Sequence, residues 1–86
     1  LNLPDREKIQ RQLQERWQSL TGYKQIQRTL LHYLNGKLHV EVYMPLTMIE
    51  KTPSLHKKLA DEYQAATSDM KDIATVTLYF TGDIDD

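Results

Sequence analysis

The sequence contains no cysteine, and only three glycines and three prolines occur among its 86 residues. Without cysteine the chain has no disulfide, no thiolate nucleophile and no thiolate metal site, so zinc could be held only by His, Asp and Glu. A glycine-rich phosphate loop, a His-Glu-x-x-His string and a Gly-x-Ser-x-Gly elbow are also missing. We therefore expect a protein that is not an enzyme.

An excess of charge and a long hydrophobic run are lacking as well. Eleven basic residues balance twelve acidic ones, which gives a formal net charge of -1 and no positive field to attract nucleic acid. No apolar run approaches the ~20 residues that span a bilayer, so we expect no direct contact with lipid. With 40% hydrophobic and 27% charged residues, the composition is typical of one globular domain over 1–86.

Apolar residues at helical spacing predict two amphipathic helices. The first is predicted over 5–21 with Asp5 as its N-cap, and the second over 53–70 with Thr52 as its N-cap. The stripe of the first helix is Ile9, Leu13, Trp17 and Leu20, and that of the second is Leu55, Leu59, Tyr63, Ala66 and Met70. Each stripe must be buried against another element, and a sheet face is the natural partner.

Between the helices, Asn35-Gly36 separates two runs of alternating residues and predicts a β-hairpin with strands at 24–34 and 37–45. A two-residue turn fixes the register, so that His32 lies opposite His39. The expected core side carries Thr29, Leu31, Tyr33, Leu38, Val40, Val42 and Met44. The other side carries Arg28, Leu30, His32, Leu34, His39, Glu41 and Tyr43.

Alternation at 73–81 predicts a last strand, which we expect to lie parallel to the first strand after a right-handed crossover. The acidic tail at 82–86 is expected to fray. The predicted fold is therefore an α+β two-layer sandwich of order αββαβ, with a three-stranded mixed sheet and both helices on one face.

Three strings resemble the cytoplasmic C-terminal domain of cation diffusion facilitator transporters, which export divalent metal cations through a six-helix membrane domain. Residues 35–42, Asn-Gly-Lys-Leu-His-Val-Glu-Val, are similar to the Gly-Lys-x-x-Val-Asp-Val strand of that family. Residues 59–62, Leu-Ala-Asp-Glu, are similar to its Ile-Ala-Asp-Glu helix segment, and residues 73–78 to its closing Val-Thr-Ile-His strand. The order and spacing of the strings also agree with the family, and the likeness covers about residues 5–82.

This resemblance implies a ferredoxin-like, metallochaperone-like fold that forms a homodimer, with the sheet contributing to a V-shaped contact. In the family, metal binding draws the arms of the V together and favours the transporting state. The resemblance also implies a cytoplasmic domain of an integral membrane protein, whose partner is the membrane domain of the parent transporter. The chain begins at Leu1 rather than Met, which is expected of a piece of a longer protein or of a processed N-terminus.

The metal ligands of the family have no counterparts at the matching positions. The first-strand ligand falls on Arg28 or Thr29, the next on Tyr43, the helix histidine on Lys57, and the last-strand pair on Tyr79 and Thr81. Cationic side chains repel a divalent ion, and zinc prefers imidazole, thiolate and carboxylate to tyrosine. The resemblance therefore implies a dimer contact held by packing, which we place on Arg28, Leu30, Tyr43, Tyr79 and Thr81.

A different metal site is suggested by the hairpin register. His32 and His39 face one another with Glu41 on the same side, close enough to share one Zn²⁺ or another divalent cation, which would be bound weakly. His56, early in the second helix, is a further candidate ligand. The alternative interpretation is that all four are solvated polar residues and that no cofactor is bound.

Three functions follow from these patterns. The leading one is the dimerising, regulatory domain of a divalent cation efflux transporter with its usual ligands largely replaced. The second is a stand-alone soluble homodimeric interaction or regulatory module, and the third is a small metal sensor that uses His32, His39 and Glu41. The parent reading frame separates the first two, since only a transporter has six hydrophobic spans upstream.

Overall fold

The computed structural model of the chain describes residues 3–82, and the acidic residues 83–86, expected to fray, lie outside them. Two helices and three strands follow one another in the order α1, Arg6–Trp17; β1, Arg28–Leu34; β2, Lys37–Pro45; α2, Leu55–Ala65; and β3, Ile73–Thr81. Short 3-10 turns occur at Tyr23–Gln25 and Leu46–Met48. The predicted α+β arrangement with a three-stranded mixed sheet is confirmed.

Helix α1 begins as predicted and ends earlier than predicted. The Asp5 side chain accepts hydrogen bonds from the backbone N–H groups of Glu7 and Lys8, at 3.0 and 3.3 Å, so it is the N-cap. The helix ends at Trp17 rather than at residue 21. Beyond it the Leu20 N–H donates to the Trp17 carbonyl at 2.8 Å, which forms a 3-10-type turn in place of a further α-helical turn. Leu20 therefore packs on the core from a turn.

Helix α2 is also shorter than predicted. Thr52 is not its N-cap; the cap is Ser54, whose side chain makes no capping hydrogen bond. The Thr52 carbonyl instead accepts the Leu55 N–H at 2.9 Å, in a turn that precedes the helix. After Ala65 the chain continues in turns, from which Met70 still reaches the core with 8% exposure.

The hairpin forms in the predicted register. Asn35 and Gly36 both have positive φ, at 54° and 78°, as a two-residue turn between twisted strands requires. The seven pairs run from Leu34 opposite Lys37 to Arg28 opposite Tyr43, and His32 lies opposite His39. Strand β1 begins four residues later than predicted because a 3-10 turn occupies Tyr23–Gln25.

The direction of the last strand differs from the prediction. The sheet order is β1-β2-β3, and β3 lies parallel to β2 rather than to β1, with Val40 opposite Val76. The reason is that α2 carries the chain from the end of β2 back to the other end of the sheet. Strand β3 therefore starts where β2 starts and runs in the same direction. A register shift follows the Leu38 pair, where β3 accommodates one extra residue.

One hydrophobic core lies between the helices and one face of the sheet. Trp17 of α1 and Tyr63 of α2 are its largest fully buried side chains, with ring centroids 5.2 Å apart. The Trp17 indole N–H donates to the Tyr63 carbonyl at 3.2 Å, so the buried polar atom is satisfied. The sheet contributes Leu31, Leu38, Val40, Val42, Met44, Val76 and Leu78. No helix within residues 3–82 lies over the opposite face of the sheet, which is called the open face below.

Candidate functional site

The open face carries a row of three large side chains, one from each strand. Arg28, Tyr43 and Tyr79 are neighbours in the sheet register, because Arg28 pairs with Tyr43 and Tyr43 pairs with Tyr79. The two tyrosine rings are stacked with centroids 5.1 Å apart and an interplanar angle of 18°. The Arg28 guanidinium carbon lies 5.0 Å from the centroid of the Tyr43 ring, within the range of a cation–π contact.

This row is accessible. Tyr79 is 40% exposed although it is a large aromatic residue on a regular strand, and Leu34, on the same face, is 58% exposed. Leu30 is half-buried between them. Exposed aromatic and aliphatic side chains on a rigid sheet are the type of group that anchors protein–protein contacts. The five residues predicted for a dimer contact thus all lie on one open face.

Beside the row, one carboxylate oxygen of Glu41 lies close to both Tyr43 and His32. The Tyr43 hydroxyl donates to Glu41 Oε1 at 2.9 Å, and His32 Nε2 lies 3.2 Å from that oxygen. The Tyr43 hydrogen bond, followed by that of His32, holds the pKa of the Glu41 carboxyl below its usual value. The same bond to Glu41 raises the pKa of the Tyr43 hydroxyl. The carboxylate therefore fixes the orientation of Tyr43 within the row.

The four predicted metal ligands do not converge. His32 and Glu41 lie together, whereas His39 Nδ1 lies 2.8 Å from the Thr75 hydroxyl on β3, on the other side of β2. His56, on α2, packs edge-on against Phe80 with ring centroids 4.8 Å apart, on the helix side of the sheet. Among residues 3–82 no three His, Asp or Glu side chains are grouped closely enough to hold a metal ion. Zinc binding therefore stays a prediction.

The positions matching the family's ligands are used otherwise here. Lys57 forms an ion pair with Asp61 at 3.1 Å on the exposed side of α2, away from the open face. Thr81, at the end of β3, has a buried hydroxyl oxygen with no hydrogen-bond partner among the described residues. An unsatisfied buried hydroxyl is unfavourable in an isolated chain.

Sequence reasoning missed the bond between Glu41 and Tyr43 and the cation–π contact of Arg28. The signal for both was available, because residues two apart on a strand share a face and the register places Arg28 opposite Tyr43. The stacking of Tyr79 on Tyr43 could not be found in this way, since it depends on β3 lying next to β2. No helix in residues 3–82 is both long and apolar enough to cross a membrane.

Comparison of the chain with protein-family models, curated proteins and solved structures found no match to any of them.

Proposed function

We propose that this chain is the dimerising, regulatory domain of a divalent cation efflux transporter of the cation diffusion facilitator family, on the cytoplasmic side of the membrane. The observation that carries the dimerising role is the stacked, exposed Tyr43–Tyr79 pair on a sheet face without a helix over it. The αββαβ order of elements agrees with what the family resemblance implies. The transport assignment rests on the three sequence strings alone.

A dimer contact also follows from the small size of the domain. A chain of this length buries only roughly 60% of the surface that its unfolded form exposes, so a partner adds burial that the core cannot supply. Burying Tyr79, which is 40% exposed, removes apolar surface from water. The aromatic row is already ordered by stacking and by Glu41, which lowers the entropy lost on association.

The area available indicates a weak contact. A three-stranded face of this length measures roughly 15 by 25 Å, or about 400 Å². Stable complexes usually bury ~800 Å² on each partner. The open face alone therefore supports a concentration-dependent dimer. In a transporter, attachment to a dimeric membrane domain would raise the effective concentration of the two domains and compensate for weak affinity.

The contact is proposed to be held by packing rather than by a shared metal ion. At the matching positions, Arg28 and Lys57 are cationic and Tyr43 and Tyr79 are stacked on each other. The stacked tyrosines can stabilise a contact without a metal ion, whereas the positive charges of Arg28 and Lys57 disfavour the binding of a divalent cation. Any residual affinity for zinc would come from His32 and Glu41, which lie 3.2 Å apart.

Sedimentation of the purified domain, with zinc and with chelator, tests this proposal. We expect a monomer–dimer equilibrium that zinc does not shift, and isothermal titration with little heat. Tyr43→Asp and Tyr79→Asp should each weaken the dimer about tenfold or more, because a charge is placed in the contact, while the circular dichroism spectrum is kept.

Gln10→Asp is the matched control, because it adds the same charge to the exposed surface of α1. It should leave the dimer unchanged. A domain that stays monomeric at the highest attainable concentration would overturn the dimerising role. A parent reading frame without six hydrophobic spans upstream would overturn the transporter assignment and favour the stand-alone module.

A further inference from the structure

We propose that two copies of the chain join through the free edge of β3, in antiparallel orientation about a two-fold axis at Tyr79, so that their sheets form one sheet of six strands. This inference rests on the proposed dimerisation and confines the contact to the β3 side of the open face, so that Tyr79 lies at the junction and Leu30 and Leu34 of β1 lie away from it. The sheet order β1-β2-β3 leaves one side of β3 without a neighbouring strand.

Hydrogen bonds identify which β3 residues point toward this edge. The Leu38 N–H donates to the Asp72 carbonyl at 2.8 Å, so even-numbered residues of β2 face β3. In a parallel ladder Val40, paired with Val76, bonds to the residues on either side of Val76. Val76 therefore turns its own backbone groups outward, and its carbonyl indeed accepts from Gln64 Nε2 of α2 at 3.0 Å. By alternation, Leu78 and Phe80 also point outward.

The free part of the edge is centred on Tyr79. Gln64 already occupies the Val76 carbonyl, whereas among residues 3–82 no bond outside the strand ladder involves the N–H or carbonyl of Leu78 or Phe80. Tyr79 lies midway between these two residues. The other edge of the sheet is partly closed, because the Arg6 guanidinium donates to the Leu31 carbonyl at 2.6 Å.

The composition of β3 favours a second copy of the same strand as the occupant. Natural edge strands are usually protected from pairing by charge, proline or short length. Strand β3 has nine residues, none of them charged and none proline, whereas β1 carries Arg28 and β2 carries Lys37 and Glu41. A two-fold antiparallel pair sets a strand against itself, so any charge close to the axis would approach its own like charge. Of the two edge strands, β1 and β3, only β3 carries no charged residue.

The two-fold axis at Tyr79 also gives favourable side-chain pairs. Leu78 would exchange two backbone hydrogen bonds with the partner's Phe80, and the reverse pair would do the same. Tyr79 would lie opposite the partner's Tyr79 at a close, non-hydrogen-bonded position, so the two stacked Tyr43–Tyr79 pairs would continue across the junction. Thr77 would lie opposite the partner's Thr81, which pairs two small, uncharged side chains.

Amide hydrogen exchange of the wild-type domain, measured by NMR at several protein concentrations, tests the edge directly. We expect the Leu78 and Phe80 amides to exchange fast in the monomer and at least about tenfold more slowly in the dimer. The Tyr79 amide, which faces β2, should be protected in both. The outward amides of Thr29 and Tyr33 on β1 are the matched control and should not change. Concentration-independent exchange at Leu78 and Phe80 in a domain that does dimerise would overturn the edge contact.

A charge-swap experiment tests the axis. Tyr79→Asp and Tyr79→Lys should each weaken the homodimer about tenfold or more, since like charges meet at the axis. An equimolar mixture should recover association as a heterodimer, because Asp then faces Lys. Leu30→Lys, on the same open face and distant from the β3 edge, should leave the dimer intact. No recovery in the mixture, with Leu30→Lys as damaging as Tyr79→Lys, would overturn the edge contact while dimerisation through the open face stood. A monomeric wild-type domain would overturn both.

Discussion

Gly22→Ala should be the most destabilising of the three possible glycine-to-alanine changes. Gly22 has a φ of 79°, which alanine adopts at a cost of roughly 1–2 kcal/mol. An added Cβ would also collide with the terminal methyl group of Met48. Moving that side chain away from a rotamer minimum costs roughly 0.5–1.5 kcal/mol. We therefore expect the free energy of unfolding to fall by roughly 1.5–3.5 kcal/mol, or the Tm by roughly 6–28 °C in a domain of this size.

The other two glycines separate the contributions. Gly36 has a φ of 78° and open space around its Cβ position, so Gly36→Ala should show the backbone cost alone. Gly82 has open space and no positive φ, so Gly82→Ala should be close to neutral. Urea denaturation of the three variants, and of Gly22→Ala combined with Met48→Ala, measures each step. Equal losses for Gly22→Ala and Gly36→Ala would refute the collision with Met48.

The remaining predictions concern pH. Hydrogen bonding to Arg16 lowers the pKa of Asp69, so the stability from this pair is present above the unfolded pKa of about 4 and is lost as the pH falls through the lower folded value. Acid titration of Asp69→Asn should therefore show a flatter loss of stability than wild type below about pH 4. Burial raises the pKa of Tyr63 to about 12, so the stability that its neutral phenol contributes is lost as the pH rises from about 10 toward that value. Tyr63→Phe removes the 2.9 Å bond to the Thr21 carbonyl and should cost about 1–2 kcal/mol at pH 7, and urea denaturation should show this difference shrinking between pH 10 and 12.

The hairpin was the part of the fold that sequence could define most fully. Asn35-Gly36 determines a turn with two positive φ values, and the alternation on either side then fixes every pair. The helix ends were less predictable, because Leu20 and Met70 keep helical spacing although they lie in turns. Apolar spacing reports burial, and turns of the 3-10 type can bury a residue as well as a helix can.

The candidate site was predicted only in part, and the correct part came from the hairpin. The hairpin register correctly placed His32, Glu41 and Tyr43 on one face, but register says nothing of which neighbour each side chain turns toward. His39 turns to Thr75, which requires β3 beside β2, and that neighbour was assigned incorrectly. Strand β2 directly precedes α2, and a helical crossover from β2 would have predicted that β3 lies parallel to β2.

The position of β3 has a consequence for how the domain folds. The pairs of the hairpin are close in sequence, whereas Val40 and Val76 are brought together only after α2 has formed its crossover. Contacts between distant residues carry a larger loop-closure cost, so we expect the hairpin to form first and β3 to dock last. Until it docks, an uncharged strand with two unpaired edges is exposed to other chains. The refolding yield should therefore fall as the protein concentration rises, even under conditions in which the native domain is stable.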